Sequence, residues 1–250
     1  MDIEILLKDV RDYCEENIVK FHEKRILKLA QAKLTDIIKR KNPYLYKAKG
    51  MENAYEIVKG LVDYYLASQE ETIFGNWLEE LAIFVCSRVY GGRKSSSEGI
   101  DLEFEREGVR YFVSIKSGPN WGNSSQIKQM EKNFEKIKRI LPKGIKAEFV
   151  EGCCYGRCGV INKGFYYKYC GKDFWELISG IEDFYILVVE PIGYKAKEKN
   201  EEYQVEYEKL LNRLTKDFSN LFCRKDGSIN WETILKFTSL KDYKLKRRGV

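Results

Sequence analysis

Apolar residues in the first part of the chain recur at helical spacing. Ile5, Leu6, Val10, Tyr13 and Ile18, then Ile26, Leu27, Leu29, Leu34, Ile37 and Ile38, predict helix over residues 2–40. Asn42-Pro43 breaks the pattern as a turn signal. A helix over about 51–68 follows, with Ala54, Ile57, Val58, Leu61, Val62 and Tyr65 on one face. Another over 76–90 stops at Gly91-Gly92. After "RKSSSE" the period falls from helical to two: "IDLEFE" and "VRYFVSIK" alternate, and "EREG" turns the chain between them, as in a β-hairpin. The loop "SGPNWGN" leads into a helix from about Ser125 to Ile140, with Ser124 or Ser125 as candidate N-cap. Residues 147–156 predict a strand and 173–180 a short helix. "FYILVVEPIG" at 184–193 predicts a strongly apolar strand stopped by Pro191. From about residue 200 the chain is helical and charged.

Helices, a hairpin, helix–strand–helix–strand and helices again: this order predicts an α/β fold, a mixed β-sheet core flanked by helices with helical N- and C-terminal additions. A single domain is expected, with a helical part (1–75), an α/β core (76–195) and a second helical part (196–250). At 44% hydrophobic and 33% charged, the 250 residues have the composition of a folded soluble chain. No apolar run is long enough for a membrane span. The acidic start lacks the basic region and cleavage site of a secretory signal. A cytoplasmic protein is expected, its seven cysteines reduced. The net charge of +6, with 38 acids among 44 bases, permits nucleic-acid binding without requiring it. One histidine, His22, excludes most Ser-His-Asp, Cys-His and histidine–metal chemistries. An enzyme built from this chain works with carboxylates, lysine and a hard metal ion.

Alternation in the hairpin places Ile100, Leu102 and Phe104 on one face and Asp101 and Glu103 on the other. On the second strand Tyr111, Val113 and Ile115 share a face, and Ser114 and Lys116 the opposite one. If the apolar faces form one core face, two acids, a serine and a lysine converge on the other. A salt-bridged solvent face of a hairpin has the same pattern. The continuation weighs toward chemistry, because Lys116 runs directly into a Gly-Pro-Asn-Trp loop that opens a helix. A helix N-terminus with Asn, Ser and Gln side chains suits a phosphate. A carboxylate–lysine patch beside it suits metal-assisted phosphodiester hydrolysis.

Gly99-Ile100-Asp101 followed by Ser114-Ile115-Lys116 resembles the PD-(D/E)XK nuclease signature. "NPYLYKAKG", "EETIFGNWLEELAIFV", "GGRKSSSEGIDLEF", "SIKSGPNWGNSSQ" and "GKDFWELISG", in order over about residues 42–180, resemble type II restriction endonucleases of the PmeII-like group. The resemblance implies a restriction-endonuclease-like sheet and Mg²⁺-dependent, sequence-specific cleavage of double-stranded DNA giving 5′-phosphates. It also implies a homodimer with one active site per strand. By the same resemblance Asp101 binds metal, the main-chain carbonyl of Ile115 joins it, and Lys116 positions the attacking water. Ser114 stands where the pattern has Glu or Asp, which leaves one ligand unassigned. Glu79, on the helix before the hairpin, ranks first as an additional active-site acid. Glu103 and Glu131 are rivals for the vacant ligand place.

DNA contacts are expected at Asn120, Trp121, Asn123, Ser125, Gln126 and Lys128, with Trp121 alternatively a core anchor. "GFYYKYCGKDFW" and Asn162 read either as further DNA contacts or as a strand with packed aromatics. The basic tail "KLKRR" either touches phosphates or is merely solvated. Cys153, Cys154, Cys158 and Cys170 are either a structural zinc site or reduced thiols. Two other functions stay open: a structure-specific or repair nuclease of the same fold, and a DNA-binding protein that no longer cuts, for which Ser114 argues.

Overall fold

The computed structural model describes residues 3–245. The part of the basic tail from Lys246 onward lies outside the described residues. In chain order the elements are α1 (Ile3–Gln31), α2 (Leu34–Ile38), α3 (Pro43–Ala48), α4 (Ala54–Tyr90), β1 (Arg93–Lys94), β2 (Leu102–Arg106), β3 (Val109–Lys116) and α5 (Ser124–Ile140). There follow β4 (Ala147–Cys153), β5 (Val160–Asn162), β6 (Tyr167–Cys170), α6 (Lys172–Ser179), α7 (Phe184–Leu187), α8 (Val189–Ile192), α9 (Ala196–Phe222) and α10 (Trp231–Ser239). The chain divides into two compact units. One is the described chain through Phe21 together with Phe74–Tyr194; the other is His22–Ile73 with the described chain from Lys195 onward.

The first unit holds a six-stranded sheet in the order β1-β2-β3-β4-β6-β5. β2 and β3 form the expected hairpin, closed by Glu107 and Gly108, both at positive φ as a tight hairpin turn requires. β3, β4 and β6 run parallel, and β1 and β5 pair antiparallel at the edges. The sheet is therefore mixed, as expected. Leu102, Phe104, Val113, Ile115 and Val150 share one face, covered by Leu6 and Val10 of α1, by Trp77, Leu81 and Val85 of α4, and by Phe174 and Trp175 of α6. On the other face Phe112 and Phe149 sit in register, their rings stacked at 5.6 Å. Met130, Phe134 and Ile137 of α5 cover them. Parallel strands need cover on both faces, and the helices supply it. Phe134 alone, fully buried, contributes about 2 kcal/mol of apolar transfer.

The second unit is helical among its described residues, apart from one bridge between Cys223 and Ile229. Ile57, Val58, Leu61, Val62 and Leu66 of α4 meet Leu210, Leu211, Leu214 and Phe218 of α9 and Ile234 of α10. His22 is buried in this unit, and burial, then the charge of Arg25, lowers its pKa, which favours the neutral ring. No described helix is long and apolar enough to cross a membrane.

Several local expectations give way. Residues 184–193 form two short helices, α7 and α8, instead of a strand. Phe184 and Val188, four apart, are buried, while Tyr185, Ile186, Leu187 and Val189 are exposed. A dense apolar run hides its period, and only burial reveals it. The helices expected at 51–68 and 76–90 are one continuous α4, because the polar stretch between them holds no proline or cap. The helix expected over 2–40 breaks after Gln31, and α2 resumes at Leu34. Ile100 precedes β2, so strand alternation does not govern it; it packs with Phe112 and Phe134, on the face opposite Leu102. The N-cap of α5 is Asn123, neither Ser124 nor Ser125. Cys158 and Cys170 are joined as a disulfide with their Cα atoms 5.5 Å apart. Cys153 and Cys154 are buried free thiols. The four cysteines are thus neither a zinc cage nor uniformly reduced. Burial, then the charge of Glu151, pushes the Cys153 thiol up to about 12, which makes it inert.

Candidate active site

Ligands of open α/β sheets gather at the carboxyl ends of the strands, and the carboxyl end of β3 is where Lys116 stands. The Asp101 N–H donates to the Val113 carbonyl at 2.9 Å, carrying the β2–β3 ladder one residue beyond the strand. Its side chain therefore falls beside Ser114. Asp101 Oδ2 accepts the main-chain N–H of Ile115 at 2.6 Å and lies 3.4 Å from Ser114 Oγ. Lys116 Nζ is 3.6 Å from the same oxygen and donates to the Ile115 carbonyl at 2.9 Å. The two side chains keep 22% and 21% of their surface exposed, which leaves them reachable yet less screened than a surface pair.

Glu79 of α4 joins this group. Burial raises its pKa, and the charge of Asp101 raises it further; Lys94, 3.5 Å away, and Lys116 oppose the shift. Two carboxylates that repel one another are relieved by a cation placed between them.

Glu103 is placed otherwise. Glu103 accepts hydrogen bonds from Ser95 Oγ at 2.5 Å and Arg110 Nη2 at 2.8 Å, with Arg93 at 3.5 Å. Burial works to raise its pKa, but these hydrogen bonds and the two guanidinium charges prevail and hold it below the usual carboxylate range. Glu131, half-buried on α5, acts on Tyr166, whose pKa rises to about 12 through burial first, then the charges of Glu151 and Glu131. Among the described residues no three His, Cys, Asp or Glu side chains gather as a metal cage.

The six side chains expected at DNA surround the loop from β3 to α5. Asn123 and Gln126 form a capping box: Asn123 Oδ1 accepts the N–H groups of Ser125 and Gln126, and Gln126 Oε1 accepts that of Asn123 at 2.9 Å. These oxygens are committed to starting α5. Trp121 is half-buried against the α5 core, with its ring 4.9 Å from Lys116 Nζ. Asn120, Ser125 and Lys128 are exposed.

Sequence reasoning missed Glu151 and Lys168. Ser114 of β3, Glu151 of β4 and Lys168 of β6 are successive partners in the parallel register, so all three point to the α5 face. Glu151 is 3% exposed. The signal was an acid, Glu151, between Val150 and Gly152 in the strand "AEFVEGCC", since a buried carboxylate needs a partner. Lys94, on the two-residue β1, was missed because so short an edge strand has no periodicity to read.

A family model for the type II restriction endonuclease EcoO109I matches residues 8–200, a span that contains Glu79, Asp101, Ser114, Lys116 and every strand of the sheet. No curated protein matches the chain.

Proposed function

Because this chain belongs to the family of the type II restriction endonuclease EcoO109I, we propose that it cuts double-stranded DNA at a specific sequence by Mg²⁺-assisted hydrolysis at Asp101 and Lys116, leaving 5′-phosphates. Membership carries the coarser activity, a nuclease hydrolase acting on DNA. The finer reading rests on one observation: the Lys116 ammonium lies between Asp101 Oδ2 and the Ile115 carbonyl, with Glu79 in electrostatic reach. We read the pair as the aspartate and lysine of a PD-(D/E)XK site of the PmeII-like kind, with serine in place of the second acid.

The donor set fits Mg²⁺. Asp101, Glu79 and the Ile115 carbonyl are all hard oxygen donors, and Asp101 and that carbonyl already share one cation, the Lys116 ammonium. Mg²⁺ keeps several waters and takes one or two carboxylates, so Asp101, Glu79 and the Ile115 carbonyl suffice. Bound there, it would neutralise charge on the scissile phosphate and acidify a water. The Ile115 N–H keeps Asp101 aimed. Lys116 orients the attacking water and offsets the charge that develops on phosphate. Ser114 donates toward Asp101 without adding negative charge. Asn120, Ser125 and Lys128, exposed about the start of α5, would meet the DNA backbone. Two copies of the chain, one per strand, would serve a symmetric site in cytoplasmic DNA.

The test is digestion of bacteriophage DNA with Mg²⁺, resolved on a gel. Wild type gives discrete bands. Asp101→Ala and Lys116→Ala give none yet still bind duplex. Glu79→Ala cuts more slowly, and Glu131→Ala cuts as wild type does. Cutting by Lys116→Ala at the wild-type rate refutes the site. Ser114 favours one other reading, DNA binding without cleavage; retarded but uncut DNA with the wild-type protein would establish it. Cleavage confined to branched DNA would point to a structure-specific enzyme.

A further inference from the structure

Glu151 and Lys168 form an ion pair that the reaction does not use. Both are well shielded, at 4% and 14% side-chain exposure, and 2.7 Å apart. Removing two charges from water is costly, and an apolar pair in their place would pack as well. Their hydrogen bonds show where the pair acts. Glu151 Oε1 accepts the indole N–H of Trp121 at 2.8 Å as well as Lys168. Lys168 Nζ also donates to the Pro119 carbonyl at 2.9 Å. Both side chains thus hold the loop that follows Lys116. The Tyr155 ring also packs against this loop, at Gly118. The Trp121 ring lies 4.9 Å from the Lys116 ammonium, within cation–π range.

We propose that Glu151 is a positioning residue: with Lys168 it latches Trp121 over the Lys116 ammonium and so sets where that ammonium points. The proposal rests on the nuclease reading of Lys116. It assigns Glu151 no metal, because the Lys168 ammonium, 2.7 Å away, already balances its charge. Ser114 beside it in register is neutral, which spares a second buried carboxylate on the same row.

The variants are Trp121→Phe, which keeps a ring and removes the N–H, Glu151→Gln, their combination, and Glu151→Leu with Lys168→Met, which removes the acceptor and leaves no buried cation unpaired. Lys116→Ala is assayed beside them. The readouts are kcat and KM on a duplex, melting temperature, and Mg²⁺ affinity by calorimetry. The latch predicts that Trp121→Phe and Glu151→Leu/Lys168→Met each lower kcat by about tenfold or more, as misplacement of a reacting group does, with KM nearly unchanged. It also predicts that Glu151→Gln adds little in the Trp121→Phe background, since residues acting as one unit are not additive. Should Glu151→Gln fail to fold, the other two variants decide. A wild-type kcat in both, with only the melting temperature lowered, would make the pair structural and end the proposal. A loss of Mg²⁺ affinity on Glu151→Gln would make it a ligand and equally end it. In these two cases Lys116→Ala stays inactive and the nuclease reading stands. Wild-type cutting by Lys116→Ala removes the site and the latch with it.

Discussion

Glu103 and Glu151 both lie on the α5 face of the sheet; Arg110 and Arg93 neutralise the first and Lys168 the second. The pair at Glu103 has a consequence for acid stability. Its folded pKa is lowered, so its contribution is present above the ordinary glutamate pKa and is lost as pH falls through the folded value. Wild type should lose melting temperature as pH drops below about 5. Glu103→Gln should start lower at neutral pH and change less over that window, so the two curves converge in acid. Thermal melts across this range check it; parallel curves would mean that Glu103 is no better stabilised folded than unfolded. At this scale Asp101, Ser114 and Lys116 were legible because a period of two sorts side chains to faces without further information. Ile100 was not, because the periodicity ends where the strand ends. Glu151 was present as an odd letter in an apolar strand, but its partner lies 17 residues on and meets it only through strand pairing.

Among the elements, α5 joins structure and site: its core side buries Met130, Phe134 and Ile137, and its start is capped beside Lys116. Asn123→Ala removes an acceptor for two N–H groups and should cost about 1 kcal/mol, measured by urea denaturation. Asn123→Asp should retain most of that stability. An unchanged midpoint in the alanine variant would show the cap to be dispensable. The amphipathic helices and the hairpin were readable from spacing and turn residues. Residues 184–193 were not, because an almost wholly apolar segment fits strand and helix alike. Exposure of Tyr185, Ile186, Leu187 and Val189 decided for helices.

Across the whole molecule, the Cys158–Cys170 bridge closes a loop of sequence separation 12 around β5 and β6. Reduction, or Cys158→Ser, should cost about 2–3 kcal/mol by the loop-closure relation, read as the difference between denaturation curves with and without reductant. Coincident curves would show that the bridge adds nothing. The sequence by itself determined the helical and strand periods, the α/β class, the poverty of histidine chemistry and the Asp101/Lys116 pair, since these depend on local spacing and composition. The tertiary structure alone decided which acids meet: Glu79 is brought toward Asp101, Glu103 is given to arginines, and Glu151 is set beside Ser114. Parallel pairing and the docking of helices on a sheet join residues far apart in the chain, and no local pattern encodes which ones.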